Sequence, residues 1–216
     1  MKSILIIGMG RFGRHLCQKF MQLGDEVMIV DNNERIINEL ADTVTSARIA
    51  DCTDEHTLKA LGVANFDLCF VCMGENLESS LLSTALLKDM GARRVIAKAD
   101  RDIHPRLLLR KGAEEVVYPE RETAERMAVR MSAEHVFNYI ELTDEYSMYE
   151  IPPLPAWTGH SVRELDIRNK HHINILAVKL GDNLRPMPGP DYVFTGEEHI
   201  LALTSNANAK KLLRMI

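Results

Sequence analysis

The chain has 216 residues, 46% of them hydrophobic and 26% charged, with a formal net charge of −5 at pH 7. That length fits one large domain or two modest ones with a real core, and the acidic balance argues against sequence-independent nucleic-acid binding, which needs a basic face. No apolar run approaches the roughly 18 residues that span a bilayer, and Lys2 precedes a strand-like run rather than a signal peptide, so the chain reads as soluble and cytoplasmic.

The first predicted strand, 2–7, carries Ile4-Leu5-Ile6-Ile7 and runs straight into Gly8-Met9-Gly10-Arg11-Phe12-Gly13, where a helical pattern opens. Asp31 follows 18 residues after the last of these glycines, at the end of a second apolar run, Val27-Met28-Ile29-Val30. This is the spacing of a dinucleotide-binding βαβ unit. Gly8 permits the tight turn, Gly10 lets backbone amides approach a pyrophosphate, and Gly13 allows close helix–strand packing. A phosphate would rest on the helix N-terminus, where unpaired N–H groups and the helix dipole favour an anion. The alternative is that the glycines only shape a tight strand–helix corner. Asp31 can accept from the ribose hydroxyls of NAD, ATP, ADP or AMP and disfavours a 2′-phosphate. Arg11 is either the partner of a terminal phosphate or a solvated surface arginine.

Further strands are predicted at 26–30, 45–49, 67–72, 94–98 and 115–118, and helices at 11–23, 33–41, 55–61, 76–90 and 102–111. Such alternation predicts an α/β, Rossmann-like, doubly wound parallel sheet. Leu81-Leu82, Leu86-Leu87 and Met90 form a helical stripe ending at Gly91 and read as core. Cys69 and Cys72 form a C-x-x-C inside a strand. Their odd separation sends them to opposite faces, so they read as buried, reduced thiols, with Cys17 and Cys52 isolated.

After Pro119 the texture changes. A polar amphipathic helix is predicted over 120–135, with Ala124, Met127, Ala128 and Met131 on one face. Beyond it come short strands at Tyr139–Leu142, Ser147–Ile151, Ile173–Leu180 and His199–Leu203, broken by proline-rich turns, and a last helix over Ala207–Met215. The boundary falls near 135, giving domains 1–135 and 136–216, the second a small α+β domain. That domain offers no acid/base pair of the kind a nicotinamide dehydrogenase needs. His171-His172 reads as a helix end, and His160 sits in a turn without an obvious partner. The chain reads as a non-enzyme.

These residues resemble the potassium-transport nucleotide-binding domain family, KTN or RCK. The resemblance rests on the glycine turn, Asp31, Ala50-Asp51-Cys52-Thr53-Asp54-Glu55, Gly74-Glu75-Asn76, Ala97-Lys98-Ala99-Asp100 and Tyr118-Pro119-Glu120. The tail, with Gly159 to Arg168 and Asn174-Ile175, is similar to the companion C-terminal RCK domain. The likeness spans essentially the whole chain and is closest to stand-alone regulatory subunits of Ktr-type potassium uptake systems. The chain departs from the family at Ala50, where glycine is usual, and Cys52 follows the retained Asp51.

The resemblance implies a cytosolic, nucleotide-sensing gating subunit on the inner face of the membrane. It would bind ATP, ADP or NAD(H) without turnover and assemble as dimers and octameric rings on an integral membrane potassium transporter subunit. It implies a nucleotide site made of the turn (Gly8, Gly10, Arg11, Phe12, Gly13), of Asp31 and Asn32 at the ribose, and of Asp51, Cys52 and Asn76 near adenine. Lys98 lies on the phosphate side. Glu120 corresponds to a glutamate near Mg²⁺ or Ca²⁺ at the dimer interface. In the tail, Arg168 and Asn174 match the polar positions of a pattern that binds cyclic di-AMP in some bacterial uptake systems, and Ile173, Ile175 and Pro190 could supply apolar walls for adenine. The alternative is that Arg168 is a solvated helix charge and Asn174 a turn or edge residue. Two rival readings stay open: a Rossmann-type NAD-dependent oxidoreductase, and a nucleotide sensor acting on a soluble partner.

Overall fold

In the computed structural model, which describes residues 1–74, 76–132 and 135–215, the strand–helix alternation of the first half is realised element by element. The order is β1 (Ser3–Ile7), α1 (Arg11–Gln22), β2 (Glu26–Asp31), α2 (Glu34–Leu40), β3 (Ser46–Ile49), α3 (Glu55–Leu61), β4 (Leu68–Val71), α4 (Leu77–Asp89), β5 (Val95–Lys98), α5 (His104–Arg110), β6 (Glu115–Val117) and α6 (Pro119–Ser132). The six strands form one parallel sheet in the order β3-β2-β1-β4-β5-β6. The order reverses between β1 and β4, and a crevice opens there at the carboxyl ends of the strands, the usual ligand site of such sheets.

β1 is at the centre, and Ile4, Leu5, Ile6 and Ile7 are all buried because helices cover both faces. One face packs Leu5, Ile7, Val30, Leu58, Cys69, Val71, Leu87 and Leu108 into a single cluster. The other packs Ile4, Ile6, Val27, Ile29 and Ile37 beneath α1 and α2. Cys69 belongs to the first cluster and Cys72 to the second, so the pair does point to opposite faces. Burial pushes the thiols of Cys52, Cys69 and Cys72 up to about 12, which keeps them protonated at neutral pH.

Helix α4 departs from the sequence expectation. Its fully buried face is Ser80, Ser83, Thr84 and Leu87, while Leu82 is exposed and Leu81, Leu86 and Met90 are half-buried. Small hydroxylated side chains let α4 approach closely. Ser83 donates to the Cys52 carbonyl at 2.8 Å and Thr84 to the Ser80 carbonyl at 2.7 Å, so these two hydroxyls are satisfied in the interior. The apolar stripe therefore supplies the flanks of the contact rather than its centre.

The chain divides into two compact units, residues 1–121 and 122–216, with α6 crossing the division. In the second, β7 (Asn138–Glu141) and β8 (Tyr146–Ile151) precede two short helices, α7 (Val162–Leu165) and α8 (Ile167–His171). β9 (Asn174–Leu180), β10 (Asn183–Pro186), β11 (His199–Ser205) and α9 (Asn206–Leu212) follow. The five strands make an antiparallel sheet, β10-β9-β11-β8-β7. Its core gathers Tyr139, Tyr149, Trp157, Ile167, Ile173, Phe194 and Ile200. Among the described residues no helix is long and apolar enough to cross a membrane.

Candidate functional site

The crevice at the strand-order reversal is built from the glycine turn upward. Gly8 sits at φ +91°, a conformation that side chains rarely adopt, and a Cβ there would lie 2.8 Å from Met73 Cγ. A Cβ on Gly13 would lie 2.2 Å from the Gly8 carbonyl oxygen, so glycine is what allows α1 to start this close to β1. Gly10 is different: it has ordinary backbone angles as the cap of α1, and open space where a Cβ would go.

Helix α1 begins without a side-chain cap and without an acid in its first turn. Helices α2, α3 and α4 are instead capped by Asn33, Asp54 and Asn76. The first N–H groups of α1 thus point toward the crevice with their partial positive charge uncompensated by the chain itself.

Asp31 closes the turn from the end of β2. One carboxylate oxygen accepts from the Met9 N–H at 2.7 Å and the other from the Asn33 N–H at 2.9 Å. A carboxylate has about four lone-pair positions, so two remain for ribose hydroxyls. Arg14 braces the turn from α1, donating to the Met9 carbonyl at 3.1 Å while forking onto Glu39 at 3.0 and 3.2 Å. Sequence reading passed over Arg14, because its role depends on Glu39 of α2 being brought beside it.

The main cleft encloses about 470 Å³ and is lined by Gly8, Gly10, Arg11, Phe12, Asp31, Asn32, Asn76, Ser79, Lys98, Asp100 and Glu120, among others. A smaller recess of about 100 Å³ adjoins it, lined by Ile7, Val30, Ala50, Asp51, Cys52 and Met73. The cleft volume falls in the ordinary range for a small-molecule site. Asp31 and Asn32 line both, so a ribose at Asp31 could direct an adenine into the recess and phosphates toward α1. Asp51 is exposed and ties itself into a local turn, accepting from the Thr53 N–H at 2.9 Å and its hydroxyl at 2.7 Å. Those bonds hold its carboxyl below the usual carboxylate range. Cys52 is buried against the recess.

Elsewhere along the cleft, Lys98 lies at the end of β5 with its side chain 12% exposed. Its ammonium is 2.7 Å from Asp100 Oδ1 and 2.9 Å from Glu120 Oε1. Burial alone would lower its pKa, and the two carboxylates outweigh that and raise it. Lys98 in turn holds the Glu120 carboxyl below its ordinary value. Asp100 and Gly74 are site residues that the sequence reading quoted but did not assign. Their signal was position alone, just beyond the carboxyl ends of β4 and β5. Glu75 lies outside the described residues.

In the second unit, Arg168 Nε donates to Asn174 Oδ1 at 2.7 Å. Ile173 is buried in the core, Ile175 packs against that core, and Pro190 is exposed. His171 ends α8, as expected. His160, expected to lack a partner, lies 3.8 Å from Glu164 one helical turn on, because the capping box at Ser161 folds Glu164 back toward it.

Residues 4–119 match the TrkA-N domain family and residues 146–216 the TrkA-C domain family. The chain is 38% identical over 204 residues to the Ktr system potassium uptake protein C of Bacillus subtilis, covering 94% of this chain and 92% of that protein. It is 33% identical over 210 residues to the Ktr system potassium uptake protein A of the same organism, covering 97% and 95%. Among solved structures, the GsuK channel bound to NAD superposes with a TM-score of 0.72 at 20% identity, covering 99% of this chain and 39% of that one.

Proposed function

The chain belongs to the TrkA-N and TrkA-C domain family, and from that premise we propose that it is the nucleotide-sensing regulatory subunit of a membrane potassium-uptake system. The observation that carries the reading is the uncapped start of α1, facing a cleft with Asp31 at one end and Lys98 at the other. Such a cleft suits an adenine nucleotide: a carboxylate for the ribose diol, free helix N–H groups for phosphate, and cations for the outer charge. ATP, ADP or NAD(H) would bind without chemistry. The whole-length similarity to two Ktr potassium uptake proteins supports the transport role, and the NAD-bound GsuK structure supports the kind of ligand.

Nucleotide control follows by population shift: two ligands switch an assembly when they bind its conformations with different affinities. In this reading the partner is an integral membrane transporter subunit, and the protein docks on its cytoplasmic face as dimers arranged in a ring. Residues 1–135 form the nucleotide-binding domain and 136–216 the sensing and dimerisation domain. Glu120 takes Mg²⁺ or Ca²⁺ beside a γ-phosphate. Cyclic di-AMP is the candidate second ligand of the C-terminal domain, with Arg168 as the phosphate partner.

The test is potassium uptake into vesicles containing the cognate membrane subunit, with this protein added under ATP or ADP. Uptake should differ between the two nucleotides, and Asp31→Asn should abolish the difference. Uptake indifferent to both nucleotides would remove the gating role.

A further inference from the structure

The described residues lining the main cleft include two cations, Arg11 and Lys98, against three carboxylates, Asp31, Asp100 and Glu120. A polyanionic ligand therefore meets a site whose buried cation, Lys98, is already paired. The two acids beside Lys98 are held very differently. Asp100 is fixed: the Tyr118 hydroxyl donates to its carbonyl at 2.9 Å, and its N–H faces His104 Nδ1 at 3.4 Å. Its carboxylate lies against Gly74, where a Cβ would stand 2.3 Å from both oxygens. Glu120 is the second residue of α6, with its side chain 62% exposed. It can rotate into water at the cost of one solvent-screened ion pair.

We propose that Lys98 is a specificity-determining residue that works by partner exchange. The outermost phosphate of a bound nucleotide displaces Glu120 from the Lys98 ammonium, while Asp100, seated against Gly74, keeps that ammonium in the cleft. This deepens the nucleotide-binding reading and rests on it. The exchange has a defined direction. A phosphate carries more charge than a carboxylate, and it meets a Glu120 side chain that is 62% exposed and leaves more readily than that of Asp100, which is 22% exposed. The displaced Glu120 is then free to take a divalent cation, so the sign of its effect depends on whether one is present. AMP, with no phosphate beyond the first, gains least.

The experiment is calorimetric titration of AMP, ADP and ATP into wild type, Glu120→Gln, Lys98→Met, Lys98→Arg and the Lys98→Met/Glu120→Gln double variant, with EDTA and then with Mg²⁺. Without divalent cation, Glu120→Gln should bind ADP and ATP about two- to fivefold more tightly than wild type, the size of one exposed ion pair. It should leave AMP unchanged. With Mg²⁺ the same variant should bind ATP more weakly than wild type. Lys98→Met should lose roughly tenfold or more for ATP, and Lys98→Arg should restore part of it. The gain from Glu120→Gln should vanish in the Lys98→Met background. If the gain persists there, Glu120 acts only by general repulsion and the exchange is overturned. If Glu120→Gln weakens ATP without divalent cation, it is overturned too. Wild type binding none of the three nucleotides would instead remove the nucleotide reading, and the exchange with it. Glu120 is exposed, so its variant needs no folding rescue, and equal thermal transitions confirm that.

Discussion

At the residue scale, the three glycines of the turn separate into two kinds, and the difference is measurable. Gly8 and Gly13 are required by the fold itself: one by its positive φ, the other by a 2.2 Å approach to backbone oxygen. Gly10 has no such demand. Gly13→Ala should therefore destabilise the protein by about 1–3 kcal/mol, as overpacking against backbone does. A shift of several degrees in a thermal melt would show it. Gly10→Ala should leave the melting temperature nearly unchanged yet weaken nucleotide binding, because its Cβ projects where a pyrophosphate would approach. Asp31→Asn should cost about 1–3 kcal/mol of binding free energy by calorimetry, the loss of a charge-assisted acceptor. It also removes a strong partner of the Met9 N–H, so a modest melting shift should accompany it. The glycine turn and Asp31 were legible in the sequence because both are local signals at a fixed spacing. Arg14 and Asp100 were not, since each acts through a residue brought to it by the fold.

At the element scale, the buried polar face of α4 and the acid on β8 carry the clearest consequences. Ser83→Ala leaves the buried Cys52 carbonyl without its 2.8 Å donor and should destabilise by about 1–3 kcal/mol. The apolar periodicity that marked α4 as a helix does not reveal this face, because serine and threonine carry no hydrophobic signal. In the second unit, Glu150 is nearly buried, 2.9 Å from Lys179 Nζ and 3.0 Å from His199 Nδ1. Desolvation opposes its charge, and the two partners outweigh it and hold the carboxyl below its ordinary value. A lowered folded pKa contributes stability above the unfolded value, near 4.3, that is lost as pH falls through the folded one. Glu150→Gln should thus lower the melting temperature at pH 7 and flatten its decline below about pH 5. An unchanged acid limb would assign the decline to other groups.

Elements missed in the sequence were missed for physical reasons. β10 is four residues long, exposed throughout and ends in Pro186, although the Gly181-Asp182 turn joining it to β9 is a two-residue hairpin signal. Helices α7 and α8 are single turns parted by Asp166 at φ 45°, too short for periodicity to register.

At the scale of the whole molecule, a Rossmann-like unit with a six-stranded parallel sheet is followed in the chain by a small unit with a five-stranded antiparallel sheet. Ile103 and Leu109 of the α5 region and Met127 and Met131 of α6 are exposed, whereas Leu108 is buried. Uncovered apolar side chains of this size favour association. Light scattering at micromolar concentration should give a particle larger than the 24.4 kDa monomer. Acidic substitution at Leu109 or Met131 should reduce its mass. The parallel sheet of the first unit and its element order followed from alternation alone, whereas the proposed second ligand of the tail rests only on resemblance. Titration of cyclic di-AMP against wild type and Arg168→Ala tests that ligand independently of the N-terminal site.

The central claim is that the glycine-turn cleft holds an adenine nucleotide as a signal rather than a substrate. The most direct measurement is calorimetric titration of ATP, ADP and NADH into the purified protein, with the nucleotide recovered and analysed afterwards. The account predicts saturable binding of at least one of them, weakened in Asp31→Asn, with the ligand recovered intact. No binding of any of the three, or steady conversion of the bound one, would contradict it.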